Sequence, residues 1–321
     1  MARTPMIHLD NVTKQYDLPS GKLGEIVAAD RLNLDVPNGE VFGLVGPNGA
    51  GKTTTLKMIC GLQSPTSGRV TVNGVDVQKE PEKAQAHIGY LADFFSLYDD
   101  LKVWEYLDYF AHAYKMDRAA IPGRVDEVVR LMNLESKRDE LISGLSRGMK
   151  QRLGIGRAVI HDPPLLVLDE PAAGLDPKAR VELKELLKKL HAAGKTIFIT
   201  SHILADLEEI CTSIAIMEKG RLLRVGRLEE VMREGKSVRR FRIRLAATGF
   251  ALQEWLVARA GVNAAAMVGT DGVEFAIAGD DLMLAELLTE LVAAGAPVCG
   301  FEEITESLER LYSRVSSGEV M

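Results

Sequence analysis

The segment Gly46-Pro47-Asn48-Gly49-Ala50-Gly51-Lys52-Thr53 constrains this chain more than any other. It fits the pattern G-x-x-x-x-G-K-[ST]. An apolar, β-prone run, Glu40 to Val45, precedes it, and a helical pattern from Thr53 to Leu62 follows. Glycines at these places let the backbone turn its N–H groups inward around a phosphate, and the following helix N-terminus adds positive potential. In that geometry Lys52 reaches the β- and γ-phosphates and Thr53 offers a hydroxyl to Mg²⁺, with Thr54 one residue further along the helix. The strand–loop–helix context separates this segment from a chance glycine-rich turn.

The rest of the first 230 residues alternates strand and helix signals. Leu165 to Leu168 and Thr196 to Thr200 are short apolar runs, as expected of strands buried on both faces. Helical patterns run from Val103 to Tyr114, Val125 to Leu131, Met149 to Ile160 and Lys178 to Leu190. Strands alternating with helices predict an α/β fold with a mostly parallel sheet. The run Leu165 to Leu168 ends in Asp169-Glu170-Pro171. A carboxylate at a strand tip can hold Mg²⁺, directly or through water, and the next one can take a proton from an attacking water. An acidic pair after a strand is by itself most often a solvated loop; the phosphate loop upstream shifts the reading towards chemistry.

Composition sets the class. The chain has 321 residues, 46% hydrophobic and 26% charged, with 39 basic against 45 acidic residues and a net charge of −6. That is globular, and too acidic for a dedicated nucleic-acid binder. Three widely spaced cysteines suggest neither a disulfide framework nor a zinc site. No apolar run approaches the ~20 residues that span a bilayer. A composition change near 237 marks a boundary. Val238 to Met321 contains no lysine and sets seven arginines against twelve carboxylates, a net of −5. There Phe241, Ile243 and Leu245 alternate with arginines. Thr270-Asp271-Gly272 joins two β-like runs, and Asp280 precedes a leucine-rich helix. The order βαββαβ plus a last amphipathic helix at Leu308, Leu311, Tyr312 and Val315 predicts a small ferredoxin-like α+β domain over 237–321.

Three further motifs complete an ordered set: Leu145-Ser146-Arg147-Gly148-Met149 upstream of the Asp169 strand, Gly174-Leu175-Asp176-Pro177 after it, and Thr200-Ser201-His202 after the next apolar run. With the phosphate loop and the Asp169-Glu170 pair, the chain resembles the ATP-binding subunit of an ABC transporter. The likeness spans residues 6 to 235, and Ser307 to Tyr312 resembles the tail of drug- and lipid-exporter subunits. The resemblance implies a P-loop NTPase cassette over 1–236 with a helical subdomain at about 93–162, and ATP and Mg²⁺ as cofactors. It makes Leu145, Ser146, Arg147, Gly148 and Met149 the signature that meets the γ-phosphate held by an opposing subunit. Asp176 becomes the loop residue linking the two sites, His202 the γ-phosphate switch, and Tyr16 the ring that stacks on adenine, although a plain surface ring is an equal reading of one tyrosine.

A complete site then needs a second cassette, a homodimer being the simplest solution. A separate membrane permease is implied, with this subunit at the cytoplasmic face. The aromatic stretch Phe94, Phe95, Leu97, Tyr98 and Trp104 either meets that permease or forms helical-subdomain core. Departures are Arg147 and Met149 within the signature and an insertion from Asp17 to Glu25. Asp93 also stands where the family carries glutamine, and its carboxylate keeps a metal contact available beside Thr53 and Asp169. Arg147 either adds charge near phosphate or, as the blander expectation, points to solvent. The alternative functions are a soluble ABC ATPase acting on a macromolecular partner and a non-hydrolysing regulator; intact Glu170 and His202 argue against the latter.

Overall fold

The structure is a computed structural model that describes residues 4–17, 25–233 and 239–304. The chain opens with strands β1 (Ile7–Asp17), β2 (Glu25–Val36) and β3 (Val41–Val45), followed by helix α1 (Lys52–Ile59). Next come β4 (Ser67–Val72), β5 (Val75–Asp76), α2 (Pro81–Ala86) and β6 (Ile88–Leu91). Three helices, α3 (Val103–Ala113), α4 (Ile121–Leu131) and α5 (Arg147–Val159), pack on one another before β7 (Leu165–Leu168). The remainder alternates α6 (Pro177–Ala192), β8 (Thr196–Ser201), α7 (Leu204–Glu208), β9 (Ser213–Glu218), β10 (Arg221–Arg227) and α8 (Leu228–Arg233). Cα packing separates a unit ending at Val231 from one beginning at Met232.

The first unit carries two sheets. The larger has the order β10-β9-β3-β8-β7-β6, parallel throughout except for the β9–β10 pair. Every residue of β3, β7 and β8 is buried, which is why these strands read as unbroken apolar runs. The second sheet, β2-β1-β4-β5, is antiparallel and lies outside the mostly parallel pattern expected from sequence. Ile7, Leu9, Val70 and Val72 of this sheet share one core with Phe42 and Leu44 of β3 and Leu56 and Ile59 of α1. The stacked rings of Phe42 and Phe198, 5.5 Å apart, tie β3 to β8. In the sheet order β8 lies between β3 and β7, so the C-terminal ends of all three come out side by side. Ligand chemistry in open α/β sheets gathers at such an edge.

The second unit runs β11 (Arg239–Leu245), α9 (Leu252–Val257), β12 (Val262–Val268), β13 (Gly272–Ile277), α10 (Asp281–Ala293) and β14 (Val298–Glu303). Its antiparallel sheet has the order β12-β13-β11-β14, the ferredoxin-like arrangement. The alternation in β11 explains the two faces. Phe241 and Ile243 join Val273, Phe275, Leu256, Leu287 and Leu291 in a buried core. Arg242 on the other face pairs with Glu274 and Glu302 on the flanking strands. Asp280 caps α10 by accepting from the Met283 N–H. The expected final helix and the Ser307 to Tyr312 motif lie outside the described residues. Asp17 and Glu25 face one another across the β1–β2 pair, and the residues between them also lie outside. All three cysteines are unpaired.

Candidate functional site

The loop between β3 and α1 begins where the buried strand ends. Gly46 cannot carry a side chain, because a Cβ there would stand 2.2 Å from the Met217 carbonyl oxygen. Gly51 has φ +106°, and its Cβ would lie 2.0 Å from the Ala28 carbonyl oxygen. The glycines therefore serve both conformation and close approach. Lys52 begins α1 and is only 7% exposed; its Nζ donates to the carbonyls of Gly46 at 2.7 Å and Pro47 at 3.3 Å. A cleft of ≈ 350 Å³ runs along this loop. It is lined by Pro47, Asn48, Gly49, Gly51, Lys52, Thr53 and Thr54, with Tyr16, Ile26, Ala28, Asp93 and Glu170. Ala50, in the same loop, is buried and packs inward rather than facing the cleft. The Tyr16 hydroxyl donates to Gln63 Oε1 at 2.7 Å, which holds its ring at the rim, and the Lys14 ammonium lies 5.2 Å from the ring centre.

Asp169 and Glu170 leave the tip of β7 in different environments. Asp169 is 2% exposed, and its Oδ1 accepts from the Thr200 hydroxyl at 2.7 Å. Among the described residues no lysine, arginine or histidine pairs with it. A buried carboxylate without a protein cation is costly unless a cation is supplied. Thr53 and Asp93 line the cleft, and the Asp169 charge is felt at Asp93, so the donors these three residues offer are all oxygen, which suits Mg²⁺. Asp93 is exposed and its carboxyl is raised above the ordinary carboxylate range; partial burial is the first cause, with the charges of Asp169 and Glu170 adding.

Glu170 adopts φ +48°, a left-handed conformation uncommon for a non-glycine residue. Its N–H donates to the Thr200 hydroxyl oxygen at 3.0 Å, which holds that backbone. Oε1 lies 3.6 Å from Lys52 Nζ. Oε2 accepts from the His202 backbone N–H at 3.1 Å and from Nδ1 at 2.6 Å, so Nδ1 carries the hydrogen. His202 follows β8 directly, with half its side chain open to solvent. Thr200, fully buried, thus touches both carboxylate residues; the Thr200-Ser201-His202 motif alone gives it no role, since a threonine at the end of a β-prone run looks like a strand former.

The remaining motif residues sit at helix N-termini. Ser146 caps α5 by accepting from the Met149 N–H at 3.3 Å, and Leu145 is buried behind it. Gly148 packs close to Ala179, so that a Cβ would stand 2.9 Å from the Ala179 methyl. Asp176 caps α6, accepting from Ala179 N–H at 2.9 Å, with Pro177 at the first helical position. Arg147 is solvent-exposed, as the blander expectation has it, and its Nη2 also donates to the Ala173 carbonyl at 3.0 Å. The aromatic stretch divides. Phe94 is 91% exposed and Tyr98 half exposed, whereas Phe95 covers Gly154 of α5 and Trp104 lies 5.5 Å from the Arg138 guanidinium.

The comparisons with known proteins agree with this geometry. The family model described as ABC transporter matches residues 29–173. The chain is 39% identical over 229 residues to the Nod factor export ATP-binding protein I of Cupriavidus metallidurans, spanning 71% of this chain and 73% of that protein. The same-named protein of Paraburkholderia xenovorans is 40% identical over 220 residues, 68% of this chain and 70% of that one. Among solved structures, an ATP-binding subunit of an ABC transporter superposes with TM-score 0.62 at 31% identity, covering 72% of this chain and 93% of that one. A dimeric ATP-binding cassette bound to ADP and Pi superposes with TM-score 0.62 at 29% identity, covering 70% and 99%. With a phosphate loop, paired carboxylates and a histidine gathered at one sheet edge, and this similarity over more than two thirds of its relatives, the chain belongs to the ATP-binding subunits of ABC transporters.

Proposed function

We propose that this chain hydrolyses ATP as one of two opposed cassettes that drive an exporter through a separate membrane permease. The observation that carries the reading is the Glu170 carboxylate, suspended between Lys52 and His202 at the mouth of the phosphate loop. The loop N–H groups and Lys52 hold the phosphates, and the Tyr16 ring covers the adenine end of the cleft. Thr53, Asp169 and Asp93 are the residues that would hold Mg²⁺, which when bound neutralises charge on the phosphate oxygens. Glu170 orients the attacking water and takes its proton, and His202 keeps that carboxylate aimed. Ser146 and Gly148, at the N-terminus of α5, present backbone N–H groups to the γ-phosphate of the opposing subunit.

Two identical chains are the simplest pair, because each carries one phosphate loop and one α5 N-terminus. The relatives that bear an export name support the exporter reading over a soluble ATPase acting on a macromolecule. Among the described residues no helix is long and apolar enough to cross a membrane. Exposed Phe94 and Tyr98 are the surface offered to a permease at the cytoplasmic face, and the net charge of −6 disfavours nucleic acid. Residues 237–321 form an accessory domain that strengthens the dimer. The test is Glu170→Gln: ATP binding is retained, phosphate release falls ~10²–10⁴-fold, and ATP yields a stable dimer in sedimentation. Turnover near wild type would overturn the assignment of Glu170, and copurification without any polytopic membrane protein would overturn the permease.

A further inference from the structure

The third residue of the 145–149 segment is a cation where a flexible glycine would leave the helix start bare. Arg147 is the first residue of α5, directly after the Ser146 cap. Its guanidinium turns back across the surface to the loop that follows Glu170. Nη2 donates to the Ala173 carbonyl at 3.0 Å, and the group lies flat against Gly174. A Cβ on Gly174 would stand 2.3 Å from Nη2, 2.4 Å from Cζ and 2.5 Å from Nη1. Gly174 also has φ +65°, a conformation that favours glycine, and its missing side chain leaves room for the guanidinium.

The gripped loop is short and fixed at both ends. The Ala173 N–H donates to the Glu170 carbonyl at 3.0 Å, and the Leu175 N–H donates to the Ala172 carbonyl at 3.3 Å. Asp176 then caps α6. Arg147 therefore takes hold of the middle of the five residues, 171–175, that follow Glu170. One turn along the same helix, Lys150 Nζ pairs with Asp99 Oδ1 at 2.9 Å, which ties α5 to the segment that follows Asp93. Two cations on one helical turn thus attach α5 to both loops that bring carboxylates to the cleft.

We infer that Arg147 is a positioning residue that couples the N-terminus of α5 to the 171–175 loop, so that contact made by α5 with the opposing nucleotide sets the position of Glu170 in its own site. This rests on the two-cassette reading above. The guanidinium favours this role over a direct phosphate contact because its hydrogen bond is directed at a carbonyl of its own chain, and Gly174 is shaped to receive it.

Arg147 is exposed, so its replacement leaves the fold in place, which a thermal melt checks. Arg147→Ala is expected to lower kcat about 10-fold while the ATP KM changes less than about 2-fold, the signature of a lost step rather than lost binding. Arg147→Lys, which keeps one donor, is expected to recover part of kcat. Gly174→Ala is expected to lower kcat comparably; the part of that loss that comes from the left-handed φ of +65° remains when Arg147 is already alanine, and the part that comes from the guanidinium contact disappears. A raised KM with kcat retained, or loss of the ATP dimer in the Glu170→Gln background on adding Arg147→Ala, would make Arg147 a phosphate contact and overturn the inference. Additive effects of the Arg147 and Gly174 changes would overturn it too. Failure of Glu170→Gln alone to dimerise with ATP would instead overturn the two-cassette reading.

Discussion

Thr200→Val removes one buried oxygen that serves both carboxylate residues. The Thr200 hydroxyl donates to Asp169 Oδ1 at 2.7 Å and accepts from the Glu170 N–H at 3.0 Å, with no exposure to water. Valine keeps the shape and loses both bonds. A hydrogen bond to a charged group contributes about 1.5–3 kcal/mol, and a buried N–H left without a partner costs about 1–3 kcal/mol. The two share one hydroxyl and do not add fully, so a loss on the order of 3 kcal/mol is expected. For a unit of this size that lowers the melting temperature by about 6–12 °C. Glu170 also loses the contact that holds its φ at +48°, and its carboxylate shifts. A misplacement of about 1 Å at a reacting group can cost about 10²-fold in rate, so kcat falls at least 10-fold by this estimate. Thermal unfolding and phosphate release, measured on wild type, Thr200→Val and Thr200→Ser, separate the terms. Serine keeps both bonds and loses a methyl, so it melts within about 2 °C per half kcal/mol lost and turns over nearly as wild type. A valine variant that melts and hydrolyses like wild type, or a serine variant as impaired as valine, would refute the shared-hydroxyl account.

Asp93→Asn is expected to raise the Mg²⁺ concentration for half-maximal hydrolysis several-fold, read from metal titrations at saturating ATP; an unchanged titration removes Asp93 from the metal set. His161 is stacked on Tyr114 at 3.7 Å, and burial lowers its value to about 4 from 6.5. The unfolded chain then binds the extra proton first. Its contribution is therefore fully present above about pH 6.5 and declines as pH falls towards 4, by on the order of 1–2 kcal/mol after allowance for solvent screening. Denaturant unfolding from pH 8 to 4 should show a shallower decline for His161→Gln, and equal slopes would refute it. A chain ending near Lys236 should fold and bind ATP but dimerise more weakly with ATP in the Glu170→Gln background; equal dimer affinity by sedimentation would deny residues 237–321 that role.

What was legible in the sequence follows from burial. The strands β3, β7 and β8 are covered on both faces, so each reads as an apolar run of the right length, and Glu170, two residues past the end of β7, lines the cleft. The ferredoxin-like unit was legible because β11 alternates cleanly between core and solvent. The antiparallel sheet was not. Strand β1 shifts register between Leu9 and Val12, again to Lys14 and to Gln15, and each shift breaks the period of two. Asn11 and Arg31, with φ +50° and +48°, mark the same irregularities without a glycine to announce them. The site's supporting contacts were hidden for another reason. Arg147 bonds a backbone carbonyl 26 residues away, and the Glu170 backbone is held by a hydroxyl 30 residues on. Neither partner has a residue type that sequence spacing can single out.

The two oxygens of the Glu170 carboxylate are held on unequal terms. Oε2 takes two bonds from one residue, the His202 N–H and Nδ1–H, and is anchored by the strand tip that carries them. Oε1 has only the longer approach of Lys52 Nζ at 3.6 Å. Lys52 is itself engaged by two backbone carbonyls of the phosphate loop, through donors that are free to turn towards a stronger acceptor. On the proposed reading of Glu170 as the base, a γ-phosphate in the loop, with more charge than a carboxylate, would take Lys52 from Oε1. The anchored oxygen would then keep the carboxylate in place while the other turns to the nearest donor, an attacking water. His202 would thus act by fixing one oxygen, and the phosphate's arrival would free the second, which would tie the appearance of the base to the presence of its substrate.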